Sequence, residues 1–243
     1  MKRGLTLAPF NALSDPRLVA ELAARAEDRG WDGVFLWDHM VYSPPASAVA
    51  DPWIALAAMA TTTRSVRIGP MVTPPGRRRP HKLSREIVTL DHLSGGRAIL
   101  GLGLGADRHG ELARFGDPSD PKELARRLED ALDKLPRYWA GELEPGPVQQ
   151  PRIPIWLAGR YPNRRPLRRA AHWEGYFVID LPAPDALAEL AAELPGPPYE
   201  LVTDIEPGED PTPWGRAGAT WVLTSFGPDP DPDAVRAAID HER

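Results

Sequence analysis

Short apolar runs alternate along the whole chain with stretches whose apolar residues recur at helical spacing. Eight of these runs are nearly continuous in apolar residues, which is typical of parallel β-strands buried on both faces. The predicted strands are residues 5–8, 34–37, 66–72, 98–102, 155–158, 176–179, 200–203 and 220–224. A segment with a helix signal follows each of them, so the pattern predicts eight consecutive βα units.

Aspartate–proline pairs mark the starts of several of these helices. Asp15-Pro16, Asp51-Pro52, Asp120-Pro121 and Asp231-Pro232 each place a capping carboxylate before a proline at the first helical position. Proline costs no hydrogen bond there, because the first N–H groups of a helix have no partner inside the helix. The pair Asp210-Pro211 predicts at most a short seventh helix.

Eight βα units within 243 residues predict an α/β protein with the (β/α)₈ TIM-barrel fold, as a single domain over residues 1–243 with few insertions. The main rival is an open doubly wound sheet, which usually carries a glycine-rich phosphate loop directly after its first strand. The residues at that place, Ala8 to Asn11, include no glycine. Proline, at 29 residues, is in excess of the average of roughly 5%. Eight tryptophans nevertheless argue for an ordered core.

Composition removes several classes of function. The absence of cysteine excludes disulfides, thiolate catalysis and cysteine-based metal sites. A net charge of −5 gives no support for nucleic-acid binding. The longest apolar runs are far shorter than the ~20 residues of a membrane span, and the first residues lack the pattern of a signal peptide. We therefore expect a cytoplasmic protein. No histidine pair has metal-ligand spacing, so we expect no metal site.

The active site of a (β/α)₈ barrel lies at the carboxyl ends of its strands, which directs attention to the residues after each predicted strand. Asp38 and His39 follow the second strand, and an imidazole there can act as a general acid or base near neutral pH. The alternative is a histidine that only caps a loop, and we favour the catalytic interpretation. His109, after the fourth strand, fits either role.

Two further patterns leave two interpretations open. Glycine alternates along Gly101-Leu102-Gly103-Leu104-Gly105. The missing side chains could let a flat ligand ring lie against the backbone. Alternatively, the small residues could pack against bulky ones inside the barrel. Five arginines lie between Arg160 and Arg169, where a helix start could bind phosphate or expose a solvated face. We interpret Arg77-Arg78-Arg79 as a solvated or interface loop.

Several segments follow one another in a recognisable order: residues 30–39, 67–74, 82–105 and 153–159, then Ala170-Ala171 and Trp173-Glu174-Gly175. Together they resemble the bacterial luciferase-like superfamily of flavin- and deazaflavin-dependent enzymes. Glu174 replaces the aspartate that is usual in the family. The resemblance covers residues 1 to about 180, and it implies a TIM barrel that binds reduced FMN or coenzyme F420.

The resemblance also implies positions for the cofactor. His39 would lie near the reactive face of its ring. Met71, Val72 and Thr73 would form a backbone bulge behind the ring, Gly103, Leu104 and Gly105 would line the ring, and Ala158, Gly159 and Arg160 would approach the phosphate.

The resemblance leads to three hypotheses of function. In the first, reduced FMN and O₂ oxygenate a small organic substrate, His39 assists proton transfer, and a separate flavin reductase is a partner. In the second, F420 exchanges hydride with an alcohol or alkene carbon, and the Asp38-His39 pair is closer to the pattern of deazaflavin members. In the third, the short chain and Glu174 belong to a non-catalytic barrel that is either flavin-binding or degenerate. The sequence does not indicate the substrate.

The resemblance further suggests a homodimer through the second and third helices. An apolar face of the second helix, formed by Trp53, Ile54, Leu56 and Met59, is compatible with such an interface. The same face could equally pack on the barrel.

Overall fold

The computed structural model describes residues 1–196 and 198–241, and the described residues form alternating strands and helices. The strands are β1 (Lys2–Leu7), β2 (Gly33–Leu36), β3 (Arg67–Pro70), β4 (Leu100–Leu102), β5 (Ile155–Arg160), β6 (Gly175–Ile179), β7 (Glu200–Ile205) and β8 (Trp221–Ser225). The helices between and after them are α1 (Pro16–Asp28), α2 (Pro52–Thr62), α3 (Pro80–Ser94), α4 (Pro121–Arg137), α5 (Arg164–Ala170), α6 (Pro184–Ala191), α7 (Thr212–Arg216) and α8 (Pro232–His241).

All strand pairs are parallel, and hydrogen-bonded neighbours follow the order β3-β2-β1-β8-β7-β6-β5-β4. Two parallel bridges, Ile68 to Ala98 and Thr73 to Leu102, join the two ends of this sheet. The sheet is therefore a nearly closed barrel with helices outside it, which confirms the predicted (β/α)₈ fold.

The predicted helix starts are confirmed by their caps. The side chains of Asp15, Asp51 and Asp120 accept hydrogen bonds from the first backbone N–H groups of α1, α2 and α4. Asp231 accepts in the same way from the backbone of Asp233 in α8. The seventh helix is only five residues long, as its weak signal indicated.

The interior of the barrel is filled by large side chains below its mouth. This interior cluster consists of Phe35, Met71, Ile99, Trp156, Phe177, Val202, Trp221 and Leu223. The rings of Phe35, Trp156 and Trp221 contact one another with centroids 5.4 to 5.8 Å apart. Glycine at Gly175 makes room for them, since a Cβ there would fall 2.6 Å from Cδ1 of Trp156. A ligand can therefore bind at the mouth but not inside the barrel.

The apolar face of α2 packs mainly on this chain. Trp53, Leu56 and Met59 are buried in the main core between the strands and helices, whereas the side chain of Ile54 is 66% exposed. Most of the apolar face of α2 therefore packs on the barrel, and only Ile54 is left exposed for a dimer interface. None of the described helices combines the length and apolar character that crossing a membrane requires.

Candidate active site

A buried network of ion pairs lies at the carboxyl ends of β2 and β3. Nη2 of Arg77 lies 2.6 Å from Oδ1 of Asp38, and Nη1 of Arg77 lies 2.9 Å from Oε2 of Glu111. Arg78 adds a second guanidinium, 3.0 Å from Oδ2 of Asp38. The side chain of Arg77 is only 4% exposed. The interpretation as a solvated or interface loop is therefore wrong for Arg77 and Arg78, which pair with carboxylates of this chain, and only Arg79 of the three is exposed.

Asp38 is the most heavily bonded carboxylate of this network. Besides the two arginines, Asp38 accepts hydrogen bonds from the hydroxyl of Thr73 at 2.7 Å and from the indole N–H of Trp53 at 3.2 Å. Burial alone would raise the pKa of Asp38, but Arg78 and Arg77 hold that pKa below its ordinary value. An ionised carboxylate with all these partners suits the positioning of Arg77 and His39 better than proton transfer.

His39 is held in one orientation by Glu111, a residue of the loop between β4 and α4. Nδ1 of His39 lies 2.9 Å from Oε1 of Glu111, and Oε2 accepts the backbone N–H of Met40 at 3.1 Å. Although burial favours a protonated Glu111, the hydrogen bond with His39 and the charge of Arg77 lower its pKa. A carboxylate at Nδ1 leaves Nε2 as the ring nitrogen that can exchange a proton. Among the described residues, Nε2 has no hydrogen-bond partner.

Sequence reasoning missed Glu111. Its loop, from Asp107 to Glu111, is polar at nearly every position, so no local pattern separates a buried glutamate from a solvated one. Its burial follows from a contact with Arg77, in the loop after the neighbouring strand β3, which the order of the residues along the chain does not reveal.

Aromatic rings surround the imidazole of His39 on several sides. The ring centroids of Phe10, Trp37 and Tyr42 lie 6.0, 6.2 and 5.0 Å from that of His39. His109 stacks on Tyr42 with centroids 3.8 Å apart, and Nδ1 of His109 lies 2.9 Å from the hydroxyl of Ser43. Burial, together with the nearby His39, lowers the pKa of His109. His109 therefore supports the wall of the site in its neutral form.

The ends of β3 and β4 pack closely at the mouth. The peptide bond between Met71 and Val72 is cis, and Thr73 bridges the two strands through its backbone. A Cβ at Gly103 would fall 2.6 Å from Cγ2 of Val72, and one at Gly101 would fall 2.3 Å from the carbonyl oxygen of Pro70. Of the two interpretations of the glycine pattern, these contacts support the packing of small residues against bulky ones. The backbone at Gly105 is left-handed, with φ of 78°.

The opposite side of the mouth carries the charged ends of β5, β6 and β7. Arg160 is bonded to Asp180. Gly159 faces α5, because a Cβ there would fall 2.4 Å from Cβ of Pro166. The strand register places Arg160 beside Ile179, and it places Val178 beside Thr203, the residue before Asp204 on β7. Burial raises the pKa of Asp204 to about 6.

The model of the luciferase-like monooxygenase family matches residues 2–195. This chain belongs to that family. An uncharacterized protein of Mycobacterium tuberculosis is 31% identical over 216 residues, which cover 78% of this chain and 74% of that protein.

Two other relatives of this luciferase-like protein carry functional names. A putative coenzyme F420-dependent oxidoreductase of Mycobacterium tuberculosis is 39% identical over 145 residues, covering 58% of this chain and 38% of that protein. The oxygenase component of a flavin-dependent trigonelline monooxygenase of Acinetobacter baylyi is 27% identical over 159 residues, covering 60% of this chain and 43% of that protein. The relatives support an oxidoreductase of the flavin or deazaflavin type.

The solved structure of an F420-dependent secondary alcohol dehydrogenase, in complex with an F420–acetone adduct, superimposes with a TM-score of 0.79. It is 18% identical in sequence, and the match covers 98% of this chain and 96% of that one. The likeness shows that the two proteins share the luciferase-like fold over nearly their whole length.

The mouth of this luciferase-like barrel fits a flat, fused ring. Val72, Ala158 and Ile179 are partly exposed apolar side chains that pack on top of the interior cluster. They come from the carboxyl ends of β3, β5 and β6 and form an apolar floor, which the Arg160–Asp180 pair borders at its β5–β6 side. A floor of this kind can hold the face of a flavin or deazaflavin ring, since such rings bind largely through apolar contact.

Proposed function

We propose that this protein is an oxidoreductase that exchanges hydride between coenzyme F420 and a carbon of a small alcohol or alkene substrate. The observation that carries the proposal is the His39–Glu111 pair, in which a carboxylate fixes the imidazole at the barrel mouth and leaves Nε2 available. The 39% identity to a putative coenzyme F420-dependent oxidoreductase supports F420 as the cofactor. The cofactor, when bound, would accept or supply the hydride.

His39 would move the proton that accompanies hydride transfer. When an alcohol is oxidised, its hydroxyl proton would pass to Nε2 of His39, and the reverse step would return it. Glu111 would stabilise the resulting imidazolium at a distance of 2.9 Å. Asp38, Glu86 and Glu111 face the cations of Arg77, Arg78 and Lys82, so the network is balanced while His39 is neutral, and Glu111 is the carboxylate in contact with a protonated His39.

The cofactor would lie over the floor at the mouth. We propose that Met71, Val72 and Gly103 face its ring and that Leu104 and Gly105 line the edge of the ring. Thr73 would act behind the ring by holding the ends of β3 and β4 together, because its backbone bonds Gly101 and Gly103 and its hydroxyl donates to Asp38. Ala158, Gly159 and Arg160 would approach the phosphate, with Gly159 acting through its backbone because its α-carbon faces α5.

Calorimetric titration of the protein with F420 and, separately, with FMN tests the choice of cofactor. We expect F420 to bind more tightly than FMN. The variant His39→Ala should keep its F420 affinity and lose about 100-fold or more of its turnover, the loss typical of a general acid–base residue. His81→Ala, which changes an exposed histidine at the start of α3, is the matched control. Undiminished turnover of the His39→Ala variant would remove His39 from the mechanism.

A second candidate function is monooxygenation with reduced FMN and O₂. The similarity to the oxygenase component of a trigonelline monooxygenase supports this alternative, and a separate flavin reductase would then supply the reduced FMN. Oxygen consumption that requires reduced FMN and an organic substrate, together with tighter binding of FMN than of F420, would favour this candidate over hydride transfer.

A non-catalytic barrel is the third possibility, and the contacts of Glu174 bear on it. Glu174 accepts hydrogen bonds from Arg152 at 2.7 Å and from the backbone N–H of Ile155 at 2.9 Å. These contacts place Glu174 at the amino-terminal ends of β5 and β6, away from the mouth, where its difference from aspartate would not impair catalysis. Failure to bind either cofactor would favour a degenerate barrel.

A further inference from the structure

A cleft of about 360 Å³ adjoins His39 at the mouth of the barrel. Six of its seven lining residues are uncharged: Met40, Val41, Tyr42, Ala46, Ser47 and Val49. The first three follow His39 directly in the chain, and the ring of Tyr42 lies 5.0 Å from the imidazole. The volume falls within the range of about 300 to 1,000 Å³ that is typical of small-molecule sites.

The seventh lining residue, Arg114, carries the charge of the cleft. Its guanidinium lies over the ring of Phe115, 5.5 Å from the centroid, and forms no ion pair with the described residues. The nearby carboxylate of Asp107 is already occupied, because it accepts the backbone N–H groups of Leu112 and Ala113. A guanidinium of a residue that lines a cleft of otherwise uncharged residues, without a carboxylate partner among the described residues, is suited to bind an anion.

Both walls of the cleft are fixed by hydrogen bonds. Arg114 lies in a short 3₁₀ turn, Ala113–Phe115, that follows the buried Glu111 and Leu112. The opposite wall is held by Asn11, whose side-chain oxygen accepts the backbone N–H groups of Ser47 and Ala48. The position of Arg114 relative to His39 is therefore set by the same network that orients the imidazole.

We propose that this cleft binds the substrate and that Arg114 selects small molecules with an uncharged body and a carboxylate at one end. The proposal rests on the proposed oxidoreductase function and names its substrate class. The uncharged lining would contact the body of the substrate, Arg114 would bind the carboxylate, and the reacting carbon would lie towards His39. A phosphate group of the cofactor offers the same anionic chemistry, so the experiment must distinguish the two anions.

The probes are benzoate and benzamide, which differ in charge but have nearly the same shape. Their affinities are measured by ligand-observed NMR, without turnover, on the protein alone and on the cofactor-loaded protein. We expect benzoate to bind about tenfold more tightly than benzamide, since a charge-assisted hydrogen bond contributes at least this much. The variant Arg114→Gln should remove the difference. Arg108→Gln, in the same loop and outside the cleft lining, is the matched control and should preserve it.

Three outcomes would overturn the proposal. The first is equal affinity for benzoate and benzamide, and the second is a preference for benzoate that survives Arg114→Gln in a variant with unchanged circular dichroism. The third is competition of benzoate with FMN or inorganic phosphate for Arg114, which would assign this arginine to the cofactor. If the wild-type protein binds no cofactor but still prefers benzoate to benzamide through Arg114, the result contradicts the proposed function and supports the anion site.

Discussion

The buried carboxyl of Asp204 is expected to destabilise the protein when it ionises. This destabilisation depends on pH, and a single substitution should remove it. Asp204 lies at the end of β7 in the mouth of the barrel, where burial raises its pKa from 3.8 to about 6. The charges around it are Asp180 at the end of β6, Glu206 beyond β7, and Arg160 on β5, and of these only Arg160 favours the ionised form. The variant Asp204→Asn keeps the shape of the side chain and cannot ionise.

The magnitude follows from the pKa in the folded and unfolded states. A raised pKa means that the folded state disfavours the carboxylate form of Asp204. The resulting loss in the free energy of unfolding is absent below pH 3.8, grows as the pH rises, and is constant above about pH 6. At about 1.36 kcal/mol per pH unit, the full cost is about 3 kcal/mol. Because the side chain is partly exposed, solvent screening reduces the cost. We expect Asp204→Asn to raise the free energy of unfolding by about 1 to 3 kcal/mol at pH 8.

Urea denaturation at pH 5 and pH 8, followed by circular dichroism, measures the effect. The gain from Asp204→Asn should be about half as large at pH 5 as at pH 8, because the native carboxyl is mostly protonated at the lower pH. Asp133→Asn, at a side chain that is 72% exposed, is the control and should change stability little at either pH. A gain of equal size at both pH values, or no gain at pH 8, would refute the reasoning.

Two further substitutions test the buried network and the oligomeric state. Arg77→Met leaves Glu111 and Asp38 buried with fewer partners, and we expect a loss of about 3 kcal/mol in urea denaturation; a loss no larger than that of the exposed control Arg79→Met would contradict the ion-pair assignment. We expect a homodimer that uses α2 to depend on the exposed Ile54. The variant Ile54→Asp should therefore have half the molar mass of the wild-type protein in light scattering. A wild-type protein that is already monomeric would refute the expected dimer.

The fold could be predicted from the sequence because its signals are local. Each capping aspartate, such as Asp51, acts on N–H groups two or three residues away. Likewise, apolar strands such as β2 are buried whatever their neighbours are, because both faces of a barrel strand are covered. The position of His39 follows from the same local order, since it comes directly after β2.

The ion-pair network could not be predicted, since its energy depends on partners that are distant in the chain. Arg77 is buried only because Asp38 and Glu111 approach it from two other loops. In isolation, three consecutive arginines indicate a solvated segment. The alternating glycines leave two interpretations open for the same reason. The contact that decides between them joins Gly103, after β4, to Val72, after β3.

The aromatic rings inside the barrel give the protein an optical property. Trp156 and Trp221 lie beneath the floor of the mouth, whereas Trp37 lies beside His39 at the level of the site. A coloured ring on the floor would quench these indoles together by energy transfer, whereas a small colourless molecule in the cleft would cause no such transfer and would act on the emission through local contacts near Trp37. Strong quenching of the intrinsic fluorescence therefore reports a bound cofactor, and a small spectral shift without quenching reports a bound substrate.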